Sequence, residues 1–224
     1  MSLNLLSPAA VRIVPFVVYI AFLVIESGLP SVGIDFNVRW LYGAKVGCVA
    51  IALALLWKHY LELRAPHKAS LGDWGLSVSV GGLVFVLWIF LDQPWAMLGE
   101  ASGWDPRAAD GAIDWTLAGV RLAGAAIVVP VMEELFWRSL VMRWIKSSDF
   151  LKVEPKHVGG VALLVSSALF ALEHHQWLAG LLAGVAYGWI YVRSGNLWTA
   201  VVAHALTNLL LGIYVLFTGN WQFW

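Results

Sequence analysis

Hydrophobic residues along this chain gather in long, nearly unbroken runs, and polar residues collect in the short segments between them. At ~20 apolar residues per bilayer crossing, the pattern predicts about seven spans: Val11–Leu29, Val38–Trp57, Leu76–Leu91, Trp115–Trp144, Val158–His174, Trp177–Val192 and Leu197–Phe217. Such runs satisfy their backbone groups in helices, because a closed barrel would show alternating strands of about ten residues instead. The expected fold is therefore all-α, a polytopic transmembrane helical bundle of seven to eight spans around an intramembrane cavity. The first run has no basic residue before Arg12 and no small-residue cleavage site after Ile25, so it reads as an uncleaved span and not a signal peptide. No soluble domain, low-complexity linker or internal repeat interrupts the pattern, and residues 1–224 read as one integral membrane domain.

Composition agrees. The chain is 60% hydrophobic and 12% charged, against about 25% charged in soluble domains. Indole rings favour the two membrane–water interfaces, and Trp40, Trp57, Trp74, Trp95, Trp115, Trp144 and Trp198 fall near the ends of apolar runs. With 14 basic and 14 acidic residues the chain is neutral, so no nucleic-acid partner is expected; the lipid bilayer is. Cys48 is the single cysteine, which excludes an internal disulfide framework and reads as a small packing residue.

Loop charge gives an orientation. Lys58–Lys68 carries Lys58, Arg64 and Lys68, and Arg143–Lys156 carries Arg143, Lys146, Lys152 and Lys156; both are expected to face the cytoplasm. Asp92–Asp114 holds Asp92, Glu100, Asp105, Asp110 and Asp114 against Arg107 and is expected outside. These assignments alternate with the span count and describe a multi-pass protein of the cell inner membrane with a cytoplasmic N-terminus.

Against that background Glu133, Glu134 and Arg138 stand out, because they sit inside the fourth apolar run. A charge at the centre of a membrane helix costs about 2.5 to 3.5 kcal/mol, so such a cluster belongs where it lines a protein-walled cavity. Glu134 and Arg138 are spaced to pair on one helix face. Glu133 lies about 100° away and is left without a counter-ion. Pro130 lacks the N–H that an α-helix would place on Ala126, so a kink and a freed carbonyl are expected there. The plain alternative is a structural Glu–Arg clamp with Glu133 at the cytoplasmic interface. In the sixth run Gly180, Gly184 and Gly188 recur every fourth residue and predict a ridge for close helix packing.

Two further runs carry polar groups: His174, four residues after Phe170, at the end of the fifth, and His204 and Asn208 one turn apart in the seventh. Taken singly, an intramembrane histidine is more often a hydrogen-bonding residue between helices than a catalyst. Taken together, Glu-Glu-x-x-x-Arg, Phe-x-x-x-His and His-x-x-x-Asn, in this order on apolar helices, resemble the CAAX-protease and bacteriocin-processing family, whose best-known branch is the type II CAAX prenyl endopeptidase. The resemblance runs from about Trp115 to Gly212. It marks residues 115–217 as catalytic core spans and residues 1–114 as N-terminal spans without motifs. It implies an intramembrane endopeptidase acting on a membrane-anchored peptide or protein, in which Glu133 and His174 activate water, His204 and Asn208 hold the oxyanion, and Glu134 and Arg138 support the base.

Residue chemistry is compatible with those roles. No Gly-x-Ser-x-Gly, intramembrane Asp pair or candidate catalytic cysteine is present. Glu133, His174 and His204 also match the His₂Glu set of catalytic zinc sites. However, His-Glu-x-x-His is absent, and the only polar neighbour in sequence to orient His204 is Thr207, so no cofactor is favoured and zinc stays open. A non-catalytic scaffold or immunity-type protein and a proton- or ion-coupled transporter are the remaining readings; the latter would show paired broken helices in related halves. One geometric tension accompanies all of them. A continuous fifth span would carry His174 about 25 Å from its cytoplasmic end, whereas His204 lies about 10 Å beyond Leu197. The two meet only if the fifth helix starts outside the bilayer, tilts, or ends in a buried turn near His175-Gln176-Trp177.

Overall fold

The computed structural model describes residues 6–28, 38–99 and 103–224. Leu29 and Glu100, named above, lie outside the described residues. The helices are α1 (Pro8–Gly28), α2 (Leu41–Leu56), α3 (Leu71–Phe90), α4 (Trp115–Lys146), α5 (Gly160–Ala171), α6 (Trp177–Ser194) and α7 (Leu197–Thr218). Among the described residues there is no strand, only an isolated bridge between Arg107 and Ile113. Local chemistry sets several helix ends. Ser70 and Asp73 form a reciprocal capping box at α3, and the Asp114 carboxylate accepts from the Thr116 and Leu117 amides at α4. Gly195 and Gly219, with φ of 70° and 71°, terminate α6 and α7.

Each predicted span has its helix, but among the described residues five helices are long and apolar enough to cross a membrane: Pro8–Gly28, Leu41–His59, Leu71–Phe90, Trp115–Lys146 and Leu197–Thr218. With 12 residues, α5 is about 18 Å long, well short of the ~30 Å hydrocarbon core. It forms an antiparallel hairpin with α6, and the glycine ridge is the seam. A Cβ on Gly184 would lie 2.9 Å from the Ser167 Cβ, one on Gly188 would overlap the Leu163 side chain, and one on Gly180 would lie 3.2 Å from the Ala171 Cα. The ridge is thus a packing surface, as expected. A second close approach joins α3 to α7, where a Cβ on Gly81 would lie 2.6 Å from the Ala203 carbonyl oxygen.

The outer surface is apolar: Leu71, Val161, Phe90 and Phe217 are each 74–90% exposed, the inverse of a water-facing surface. Trp40, Trp57, Trp95, Trp115 and Trp144 are exposed at or near helix ends, as an interfacial belt requires. Cys48 corrects its expected role, because it is exposed on α2 and not packed.

The loops separate by charge. Asn196 Nδ2 donates to the Ala65 carbonyl (2.9 Å) and Trp198 Nε1 to the Leu63 carbonyl (2.8 Å), which ties the start of α7 to Lys58–Lys68. The Lys156 side chain lies beside Gly195, so both cationic segments share one end of the bundle. At the other end the Leu98 amide donates to the His175 carbonyl and the Trp104 amide to the Trp221 carbonyl. The cationic end is locked by Arg12, 1% exposed. It donates from Nε and Nη2 to Glu62 at 2.8 and 2.6 Å, and the Ser139 hydroxyl donates to the same carboxylate. Three distant segments, α1, the α2–α3 connection and α4, are joined through one carboxylate.

Candidate active site

Helix α4 is not uniformly α-helical. Residues Gly124–Val128 and Leu135–Val141 are π-helical, on either side of Val129–Glu134. Proline explains the first segment. In a π turn the N–H of residue i reaches the carbonyl of i−5, and Val129 does reach Gly124. The next bond in that register would run from Pro130 to Ala125, and Pro130 has no N–H. The vacant acceptor is filled from α7, where Asn208 Nδ2 donates to the Ala125 carbonyl at 2.9 Å. The carbonyl that takes a side-chain donor is therefore Ala125, one residue before the one expected, because the register is π.

Glu133 lies on the segment between the two π stretches. It is 9% exposed, and its Oε2 has no hydrogen-bond partner. The nearest polar neighbour in ion-pair range is His204 Nε2, 4.0 Å away. Glu134 is fully buried and serves two groups. Its Oε1 accepts from His204 Nδ1–H at 2.9 Å, and its Oε2 lies 3.1 Å from Arg138 Nε in ion-pair contact without hydrogen-bond geometry. Arg138 also donates from Nη2 to the Gly184 carbonyl (3.3 Å) and lies over the Phe170 ring, 4.4 Å from its centroid. The clamp is real, but Glu134 spans from Arg138 to His204, a contact that sequence spacing did not reveal.

The early end of α5 resolves the geometric tension, although the turn that follows is not buried: Leu172 and Glu173 are exposed and His174 and His175 half-buried. Helix α5 stops at Ala171, and the following turn carries Glu173 and His174 into the wall of the site. His174 Nδ1–H donates to the Phe170 carbonyl at 2.9 Å, which fixes the tautomer and leaves the Nε2 lone pair free. The His174 ring stands edge-on to Trp88 at 5.3 Å. Gln176 holds the turn by donating to the Trp88 carbonyl (2.9 Å). His204 is stacked on Tyr187 with centroids 5.0 Å apart and 17° between planes. The Tyr187 hydroxyl donates to Thr207 Oγ1 at 2.7 Å, and the Thr207 hydroxyl meets the Gly81 carbonyl at 2.9 Å.

Glu133, His174, His204 and Asn208 all line one cavity of ≈ 300 Å³. Glu134 and Arg138 stand behind it. Sequence reasoning missed other members of the wall. Glu173 accepts from Trp137 Nε1 at 2.9 Å, and its signal was a carboxylate beside His174 at the end of an apolar run. Arg121 lines the cavity from the first turns of α4; a cation inside an apolar run was its signal. Tyr187 had none, since a tyrosine on a packed helix looks like core.

The residue types would suit zinc, but their arrangement does not. Among the described residues, no three His, Cys, Asp or Glu side chains gather closely enough to hold a metal ion. The sequence argument from Thr207 is corrected as well. His204 has its acceptor in Glu134, from another helix, while Thr207 serves Tyr187 and Gly81.

Residues 115–210 match the sequence model of the family described as type II CAAX prenyl endopeptidase Rce1-like. The matched stretch runs from the start of α4 to within α7 and holds every residue named in the three motifs. It covers less than half of the chain. Searches of curated proteins and of solved structures give no match.

Proposed function

Taking residues 115–210 as a segment of that protease family, we propose that the chain is an intramembrane endopeptidase that hydrolyses a peptide bond of a membrane-anchored substrate with water activated by Glu133 and His174. The observation that carries the proposal is the partnerless Glu133 Oε2 in a cavity it shares with the free Nε2 of His174. A buried carboxylate oxygen without a donor is costly, and a reacting water between these two acceptors would satisfy it.

Glu133 takes a proton from that water as its oxygen bonds to the scissile carbonyl carbon, and His174 accepts the second hydrogen bond and orients the attack. The carbonyl oxygen becomes an oxyanion. His204 meets it from Nε2–H, which requires the imidazolium form because Nδ1–H is already donated to Glu134. The Glu134 carboxylate stabilises that imidazolium and fixes the ring, as the aspartate does in a serine-protease triad. The second N–H of the Asn208 amide is the other donor, since one amide hydrogen is held by Ala125. Collapse of the tetrahedral intermediate breaks the C–N bond, and Glu133 returns its proton to the leaving amine. No step needs a metal.

The cavity also bears on the direction of approach. Its lining follows α4 from Glu133 through Val129 and Ala125 to Arg121 and ends at Phe223 and Trp224, and none of it comes from the cationic segments. By the charge rule this is the outward end, so the substrate would be one displayed at the outer leaflet. Phe16, Ile20 and Leu23 of α1 form an apolar wall suited to a lipid anchor.

The test is cleavage of anchored peptides, prenylated and unprenylated, by protein reconstituted in liposomes. Glu133→Gln keeps the shape and removes the base, and turnover is expected to fall by at least about 10²-fold with an unchanged melting temperature. Wild-type turnover by this variant would defeat the proposal. Activity should survive exhaustive chelation; stoichiometric zinc with chelator-sensitive, zinc-restored activity would replace it by a metalloprotease mechanism.

A further inference from the structure

A second cavity, of ≈ 220 Å³, opens at the cationic end of the bundle beside the start of α1. Two groups in its wall have no partner. The Nε2 of His59 is buried without a hydrogen bond, and Lys58 makes no ion pair among the described residues. Arg64 donates to the Lys58 carbonyl and sets a further cation beside it. Arg12 also lines the cavity, but its charge is matched by Glu62. The rest of the wall is apolar, with Leu6, Leu61 and Leu151 between 38% and 59% exposed. A buried ring nitrogen with neither donor nor acceptor is costly. Cations beside exposed leucines suit a molecule with an anionic head and a hydrocarbon body.

We propose that this cavity binds an anionic phospholipid, whose phosphate accepts from the Lys58 ammonium and from His59 Nε2–H while its acyl chains run along Leu6, Leu61 and Leu151. At ≈ 220 Å³ the space is smaller than the ~300 Å³ of a small-ligand pocket, so it takes the headgroup and leaves the chains in the bilayer. The charge rule puts this end at the cytoplasmic leaflet, where anionic lipids concentrate. The cavity shares no lining residue with the one that holds Glu133, and the inference is independent of the protease reading. The link between the two is Arg12, which donates from Nε to Glu62 at 2.8 Å and to Ser139 of α4 at 3.1 Å. Headgroup binding therefore stabilises the folded bundle at the contact that ties α1 to α4.

The experiment is native mass spectrometry of the detergent-purified chain titrated with phosphatidylglycerol or with phosphatidylcholine of identical acyl chains. One phosphatidylglycerol per chain is expected to bind about fivefold or more tightly than phosphatidylcholine. Lys58→Gln is expected to erase that preference and His59→Leu to weaken it. Lys68→Gln removes the same charge from the same loop but outside the cavity, and should leave the preference intact. Lys58→Arg keeps the charge and should keep the preference, which shows that its loss in Lys58→Gln is not misfolding. Equal binding of the two lipids by the wild-type chain overturns the proposal. So does a preference that survives Lys58→Gln, that His59→Leu leaves untouched, or that falls as far with Lys68→Gln. Inorganic phosphate at matched concentration should not displace the bound lipid; if it does, the site takes free phosphate and the lipid assignment falls. As a second readout, phosphatidylglycerol should raise the melting temperature of the wild-type chain and not that of Lys58→Gln, and an equal rise in both would count against the site.

Discussion

Glu134 concentrates the energetics of the site in one side chain. It is fully buried and faces a guanidinium on its own helix and an imidazole on α7. Removing one partner of a buried pair costs about 3 to 5 kcal/mol, mostly through the charge left behind. Arg138→Ala should therefore lower thermal stability as well as activity, and unchanged melting would mean that the site is more hydrated than its burial implies. Glu134→Gln should act differently. It removes the charge that faces His204, so on the proposed mechanism kcat is expected to drop by about 10² or more with KM little changed, the signature of a contact made in the transition state. The Glu134–Arg138 half of this unit was legible as an i, i+4 pair. The His204 half was not, because those residues are 70 positions apart and meet only through helix packing.

Among the elements, the α5–α6 hairpin decides whether His174 reaches the cavity lined by Glu133, His204 and Asn208. Its depth follows from the shortness of α5, and its closeness from the glycine seam. A methyl at Gly184 would press on Ser167 side-chain and backbone atoms 2.9–3.2 Å away, which cannot yield as a flexible side-chain tip would. Gly184→Ala is expected to cost about 1 to 3 kcal/mol and to shift the turn that carries His174, so both melting temperature and activity should fall. Gly47→Ala on α2, where nothing lies within 4 Å of the added carbon, is the matched control and should be neutral or slightly stabilising. Equal effects at the two positions would remove the seam from the explanation. The ridge itself was readable from its four-residue period. The end of α5 at Ala171 was not, since the apolar run continues past it to Leu172.

For the whole molecule, two measurements address orientation and the lock at the cationic end. Cysteine labelling on a Cys48→Ser background should reach Lys58–Lys68 and Arg143–Lys156 from the cytoplasmic side and the Asp105 region from the opposite side. The reverse pattern would overturn the charge argument and, with it, access from the outer leaflet. At the lock, burial pushes the Glu62 carboxyl up, but the Arg12 hydrogen bonds and charge, together with Ser139, outweigh this and hold it below its ordinary 4.5. A depressed carboxyl contributes stability that is present above the unfolded-state value and is lost as pH falls through the folded one. The melting temperature should thus decline on acidification below about pH 4.5, and a Glu62→Gln variant should start lower and respond less. Parallel acid profiles for the two proteins would assign the loss elsewhere.

The run lengths of apolar residues determined the helical class and the placement of every long helix, because burial in lipid leaves the backbone no other choice. The motifs named the candidate site residues, because charges in such runs are expensive enough to require a purpose. Tertiary structure alone decided the rest. It put Glu134 on His204, seated Asn208 on the carbonyl that Pro130 leaves open, and set Arg121 against three aromatic rings at the end of the cavity. Each of these contacts joins residues far apart in the chain, and periodicity carries information only about neighbours within a few helical turns.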